Sequence, residues 1–381
     1  MTQPKTSRRS FIKYLVGGAV AVAAAAGIGG YYFLQQPPPA LTVTSASFVP
    51  PSWSKTLGLN NPRGLKFGPD GYLYVAEGGL GGSTPATDQV PPPVGPYTGG
   101  KTSRISKISP TGDRTTVIDS LPSDQTSPTL GGLVSGGSDV EFINGNLYVL
   151  NSAGGASHGN PDMPNSIIRV NADGTATQIA DLSAFLKSNP VANPRPNDFE
   201  PDGTWYSMIQ VGNDLYAIEP NHGELDKITI GGEVSRVADI SATQDHIVPT
   251  CMAIGPDGNF YVGNLTTEPY ADGAAKILKI GMDGNVADFQ TGLTTVLGVA
   301  FDSLGRLYAL ESSTGNLPAP PFLMPGSGKV VRVTSSGLET VGDGLTFPSA
   351  MTFGPDGQLY VSNKGFGFKE GEGEILKLNV S

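Results

Sequence analysis

The chain has 381 residues, 24 of them basic and 34 acidic, for a formal net charge of −10, and it contains a single cysteine. An acidic balance of this size argues against nucleic acid and anionic lipid as partners, and one cysteine excludes an internal disulfide. The 52 glycines and 32 prolines punctuate apolar runs instead of clustering, the pattern of a folded all-β chain and not of a disordered one.

Residues 1–40 read as a separate device. Ser7-Arg8-Arg9-Ser10-Phe11-Ile12-Lys13 precedes an uncharged stretch from Tyr14 to Leu34 that is rich in Ala and Gly. The pattern resembles a twin-arginine export signal, with Ile12 where Leu is commoner. It implies a periplasmic or extracellular protein exported in folded form. Cleavage is the first expectation. Because no small-x-small site follows Leu34, retention as a membrane anchor is the alternative, and this segment is the only part expected to meet a membrane. With Lys5, Arg8, Arg9 and Lys13 all in the leader, the remainder is more acidic still.

From residue 41 to 381 one phrase recurs. Phe67-Gly68-Pro69-Asp70-Gly71-Tyr72-Leu73-Tyr74-Val75 returns at Ile254–Val262 and at Phe353–Val361, and looser copies end at Tyr148, Tyr216 and Tyr308. An apolar strand, a Gly/Asp turn and a second apolar strand, six times over, predict a six-bladed β-propeller of four-stranded antiparallel blades. In the fourth copy strand a covers 251–254, b 260–263, c 276–280 and d 286–290, lettered from the axis outward; Asp-Gly supplies the hairpin turns. The sixth copy stops after strand c, at Glu374-Ile375-Leu376-Lys377-Leu378. The β-prone segment Leu41–Phe48 is expected to supply the missing outer strand and lock the last blade, sparing the ring an open edge. Cys251 falls on an inner strand and reads as a small apolar residue.

The topology sorts the loops. The a–b and c–d turns share one face and are short. The other face carries the b–c loops and blade connections, with insertions at 78–100, 152–165 and 312–328. Long Pro/Gly-rich inserts on one face mark it as the binding face. Strand b ends there with a polar residue in every copy: Glu77, Asn151, Glu219, Asn264, Glu311 and Asn363. These side chains either cap loop backbone or offer oxygen ligands to calcium or another divalent cation. The histidines, His158, His222 and His246, also fall on that face. They allow a zinc site in principle, although their spacing matches no compact ligand motif; His222 lies in a short loop expected close to the axis. Two further patterns are decoys. Residues 95–102 match the phosphate-loop pattern but are followed by an alternating strand, and Gly155-Ala156-Ser157-His158-Gly159 matches a nucleophile elbow without a strand-to-helix turn.

Asn61-Pro62-Arg63-Gly64-Leu65-Lys66-Phe67-Gly68-Pro69-Asp70-Gly71, with Tyr74-Val75-Ala76-Glu77, begins a series of matching stretches. Gly292-Leu293-Thr294 before Ala300-Phe301-Asp302 continues it, and Gly344-Leu345-Thr346-Phe347-Pro348 before Gly354-Pro355-Asp356-Gly357 ends it. From about residue 60 onward the chain resembles the ScyD/ScyE family of exported propellers, relatives of the NHL-type repeats. The resemblance implies a link to biosynthesis of the pigment scytonemin in some members and carries no assigned catalytic residues. At Asn197-Asp198-Phe199-Glu200-Pro201 the chain departs from the family's usual pattern, a plainer Asn-Pro-Tyr-Gly-type entry to blade three. Two functions follow as expectations. The first is a module that binds a small molecule or a protein at the insertion-bearing face. The alternative is a metal-dependent hydrolase or lyase. The inner-strand entrance positions Gly64, Asp139, Ser207, Cys251, Gly298 and Ala350 offer one carboxylate only, which favours binding over an axial metal.

Overall fold

The computed structural model describes residues 58–380 except Gln89; the leader and the Leu41–Phe48 strand lie outside the described residues. Six antiparallel sheets follow one another along the chain. Blade one runs Pro62–Phe67, Leu73–Glu77, Thr98–Ile108 and Arg114–Gln125 from inner to outer strand. Blade four runs Pro249–Ile254, Phe260–Asn264, Ala275–Ile280 and Val286–Leu293, within a few residues of the limits read from sequence. Blade three begins at Ser207–Val211. The last blade has three strands among the described residues, Ala350–Phe353, Leu359–Asn363 and Glu374–Leu378.

The recurring phrase has a physical reason at each position. Its second glycine, Gly71, Gly258 or Gly357, turns the chain at φ between 71° and 77°, a region open to glycine without steric cost. The aspartate between accepts the backbone N–H two residues on, from Tyr72, Asn259 or Gln358 at 3.1–3.2 Å. Its other oxygen accepts the tyrosine hydroxyl: Tyr74 to Asp70 at 2.9 Å, Tyr261 to Asp257 at 3.2 Å and Tyr360 to Asp356 at 3.0 Å. The first glycine makes room for that ring, since a Cβ on Gly68, Gly255 or Gly354 would stand 2.3–2.6 Å from it.

Alternating strand residues bury a cluster between each pair of neighbouring blades. Tyr216, Ile218, Phe260 and Val262 join blades three and four, and equivalent clusters join the other pairs. The ring is closed, because Leu65, Val75, Tyr360 and Ile375 form the same kind of cluster between blades one and six. The incoming segment is also stitched to the last blade. Leu59 bridges Gly373, and Asn61 donates to Phe368 O at 3.1 Å and accepts from Phe368 N at 3.0 Å. Ser362 Oγ donates to Arg63 O at 2.6 Å. One helix, Leu182–Ser188, interrupts the β-structure between blades two and three. Asp181 caps it by accepting from Ala184 N at 2.8 Å, and Leu182 and Leu186 pack onto Trp205.

Candidate ligand-binding cavity on the insertion-bearing face

The hole of the ring is a channel of about 540 Å³ walled by the inner strands. Gly64, Asp139, Ser207, Cys251, Gly298 and Ala350 all line it, as their register requires. Asp139 is well served there. Its Oδ2 accepts from Met208 N at 2.9 Å and Ser207 Oγ at 3.2 Å, and its Oδ1 from Val140 N at 2.9 Å. Burial pushes its carboxyl up to about 7 and the Cys251 thiol up to about 12, so the cysteine is a packing residue and not a thiolate.

A second cavity, of about 430 Å³, opens on the insertion-bearing face and is bounded by residues of all six blades. Blade one contributes Val94 and Tyr97 from its insert, blade five Leu323 and blade six Phe366. The connection into blade three contributes Phe199 and Glu200, and the b–c loop of blade four Glu268 and Tyr270. Tyr206 and Leu297 line both cavities and form the partition between them. Tyr206 is fixed by its hydroxyl, which donates to Ser349 O at 2.9 Å, and by the Arg63 guanidinium 4.5 Å above its ring. Burial, outweighing the nearby Arg63, pushes this phenol up to about 12.

Behind the wall lies a buried polar scaffold. The Tyr97 hydroxyl donates to Glu200 Oε1 at 2.7 Å, while Glu200 Oε2 has no partner. Tyr97 also packs beside His158, ring centres 5.6 Å apart. His158 is buried, with Nδ1 2.5 Å from Asp124 Oδ2 and Nε2 3.0 Å from Gly203 O. Burial alone would lower its affinity for a proton, but the Asp124 carboxylate more than offsets this and holds it up at about 9. His158 is therefore a cation pinned under the loops, tying the inserts of blades one and two to the connection into blade three. The inserts touch backbone to backbone: a Cβ on Gly99 would stand 2.3 Å from His158 O.

The other singled-out residues have different neighbours. His246 lines the cavity, its Nδ1 2.8 Å from Asp198 Oδ1. His222 lies outside it, in a shallow cleft with Lys187 and Arg195. Burial would lower the proton affinity of His222, yet Glu219, 3.3 Å away, lifts it to about 9. The three histidines thus each face their own carboxylate, and no group of three or more His, Cys, Asp or Glu that could hold a metal occurs among the described residues.

The strand-end ring lines neither cavity, and its side chains meet backbone and neighbouring charges. Glu77 accepts from Asn60 N at 2.6 Å and Arg104 Nε at 2.8 Å, Glu219 from Thr204 N at 2.8 Å, Glu311 from Thr294 N at 2.6 Å, and Asn363 from Thr346 N at 2.9 Å. Asn264 donates to Ile247 O at 2.7 Å. These five fasten the chain entering strand a to the end of strand b. Asn151 is buried with Oδ1 unpartnered. Both decoys are structural: residues 98–108 are a strand, and Ser157, wholly buried, donates to Asp202 Oδ2 at 2.7 Å.

Sequence reasoning located the face but not the residues that wall the cavity: Tyr97, Phe199, Glu200, Glu268, Tyr270, Leu323 and Phe366. A signal for two of them was present. Asn197–Pro201 is where the chain departs from the pattern of the family it resembles, and it delivers Phe199 and Glu200.

No family model matches the chain, and no curated protein matches it significantly. Solved structures do. A protein of unknown function from Bacteroides thetaiotaomicron is 12% identical, covering 88% of this chain and 74% of its own, with a TM-score of 0.53. A Thermus thermophilus protein provisionally described as an oxidoreductase (glucose dehydrogenase) is 15% identical over 89% of this chain and 100% of its own, TM-score 0.52. A Xanthomonas campestris gluconolactonase is 13% identical over 90% of this chain and 99% of its own, TM-score 0.50. At such identities the likeness is one of fold, and it agrees with a propeller.

Proposed function

We propose that the protein is an exported binding or accessory module that holds a small, largely apolar molecule in the cavity of its insertion-bearing face. The observation that carries this is the cavity itself: about 430 Å³, framed by all six blades, with aromatic and aliphatic side chains interspersed among polar ones and a wall that exposes more apolar than polar surface. Ligand sites have this size and lining. Export rests on the leader around Arg8 and Arg9, and a role in a scytonemin-like pathway rests on the family resemblance alone. The alternative, a metal-dependent hydrolase or lyase with its site on the same face, is the second reading; the described histidines, each paired with a carboxylate, do not by themselves form its metal site.

Calorimetric titration of the full chain with indole and with p-cresol tests the reading. Burying roughly 200 Å² of ring at about 25 cal/mol per Å² yields at most about 5 kcal/mol before the cost of lost freedom, so weak binding is expected, with a Kd of millimolar order or above. Leu323→Trp, which fills the cavity, should abolish that binding. No heat from either probe, or equal binding by the variant, overturns the proposal.

A further inference from the structure

The ionisable groups lining the cavity differ in how far their neighbours occupy them, and Glu268 is the one with no partner among the described residues. Arg63 lies on the Tyr206 ring, donates to Val134 O at 3.4 Å and is only 6% exposed. His246 faces Asp198. Glu200 spends Oε1 on Tyr97 and leaves Oε2 without a partner. Glu268 is half-buried between exposed Thr267 and Pro269 and makes no hydrogen bond or ion pair among the described residues. Its charge still reaches the wall. Burial raises the Tyr97 and Tyr270 phenols, and the Glu268 carboxylate raises both further.

A carboxylate held against an apolar wall is costly unless a cation or donors meet it, and ring faces attract cations. We infer that the cavity takes an organic cation, an ammonium group on a planar apolar body, with Glu268 as its counter-ion and the aromatic wall as its seat. The inference deepens the binding reading and rests on it. The opposing attraction is Arg63, whose Nε lacks an acceptor and which would favour a carboxylate ligand. Arg63 is only 6% exposed and held against the Tyr206 ring, whereas Glu268 is half-buried in the b–c loop of blade four and gives up no partner to meet a cation.

Three probes of one shape separate the outcomes: tryptamine, neutral 3-ethylindole and anionic indole-3-propionate, each titrated into the full chain by calorimetry. Tryptamine should bind at least tenfold more tightly than 3-ethylindole, and indole-3-propionate most weakly. Glu268→Gln should cost tryptamine about tenfold while leaving 3-ethylindole within twofold. If indole-3-propionate binds as well as tryptamine, or Glu268→Gln leaves tryptamine unchanged, the cation is wrong. In that case the cavity reading survives provided 3-ethylindole still binds and Leu323→Trp removes it. Silence from all three probes sinks both.

Discussion

The channel and the rim cavity are similar in volume, about 540 and 430 Å³, and opposite in origin. The channel is walled by six similar inner strands, and its polar groups are set by packing: the entrance positions are small and mostly uncharged, Asp139 is hydrogen-bonded through both oxygens, and Glu141 is paired with Lys66 at 2.6 Å. The cavity is walled by what interrupts the repeat, segments of unequal length carrying Tyr97, Phe199, Tyr270 and Phe366. Its two carboxylates keep unpartnered oxygens. Repetition builds a ring whose strand-end side chains mostly fasten its own backbone, Asn151 Oδ1 being left over, and the departures from repetition build a cavity whose carboxylates have oxygens to offer.

The sharpest way to break that contrast is to remove one acid from the repeated strand ends and one from the rim cavity. Glu77 is fully buried between Asn60 N, Arg104 and Ser106. Glu77→Ala leaves Arg104 and a buried backbone donor unmatched and should cost about 3–5 kcal/mol in denaturant unfolding. Glu268→Ala, with no partner to lose, should stay within about 0.5 kcal/mol. Equal costs would mean that the rim supports the fold no less than the ring does.

The pinned imidazole predicts a pH dependence that marks where the inserts are fastened. His158 titrates near 9 in the folded chain against about 6.5 when unfolded. Its contribution is complete below about pH 6.5 and is lost as pH rises through 9, amounting to roughly 3 kcal/mol. His222 runs the same way with the same limits. The melting temperature should therefore fall between pH 6.5 and 9.5, and Asp124→Asn should flatten much of that slope. A flat wild-type profile would contradict the buried imidazolium.

The ring was legible because its rules are local: a glycine under the tyrosine and an aspartate in the turn of three copies, and a strand end fastened to its own blade in five. Even the three strands that the last blade has among the described residues could be read from where the phrase runs out; the strand expected to complete it lies outside them. The site was legible only as a face. Tyr97 and Glu200 lie 103 positions apart and meet because blades one and three lean their inserts inward, which no spacing encodes. The same holds for Asp124 and His158, 34 apart. The strand-end residues stood out in sequence because they repeat, and repetition here marks scaffold. The helix 182–188 escaped notice for the reverse reason, since Asp181 caps a segment that occurs once.

The mildest expected effect concerns the channel acid. Asp139 is raised to about 7 by burial, opposed by the Met208 and Val140 amides, against about 3.9 unfolded. Its contribution is complete below about pH 4 and disappears as pH rises through 7, when a charge must be held among the inner strands. Asn in its place can keep an acceptor toward Met208 N and carries no charge. Asp139→Asn should therefore match the wild type within about 0.5 kcal/mol at pH 4 and exceed it by about 1–2 kcal/mol at pH 8, after allowance for water in the channel. Binding of indole at the rim should not change. A loss of rim binding would show that the two cavities work as one site across the Tyr206 partition.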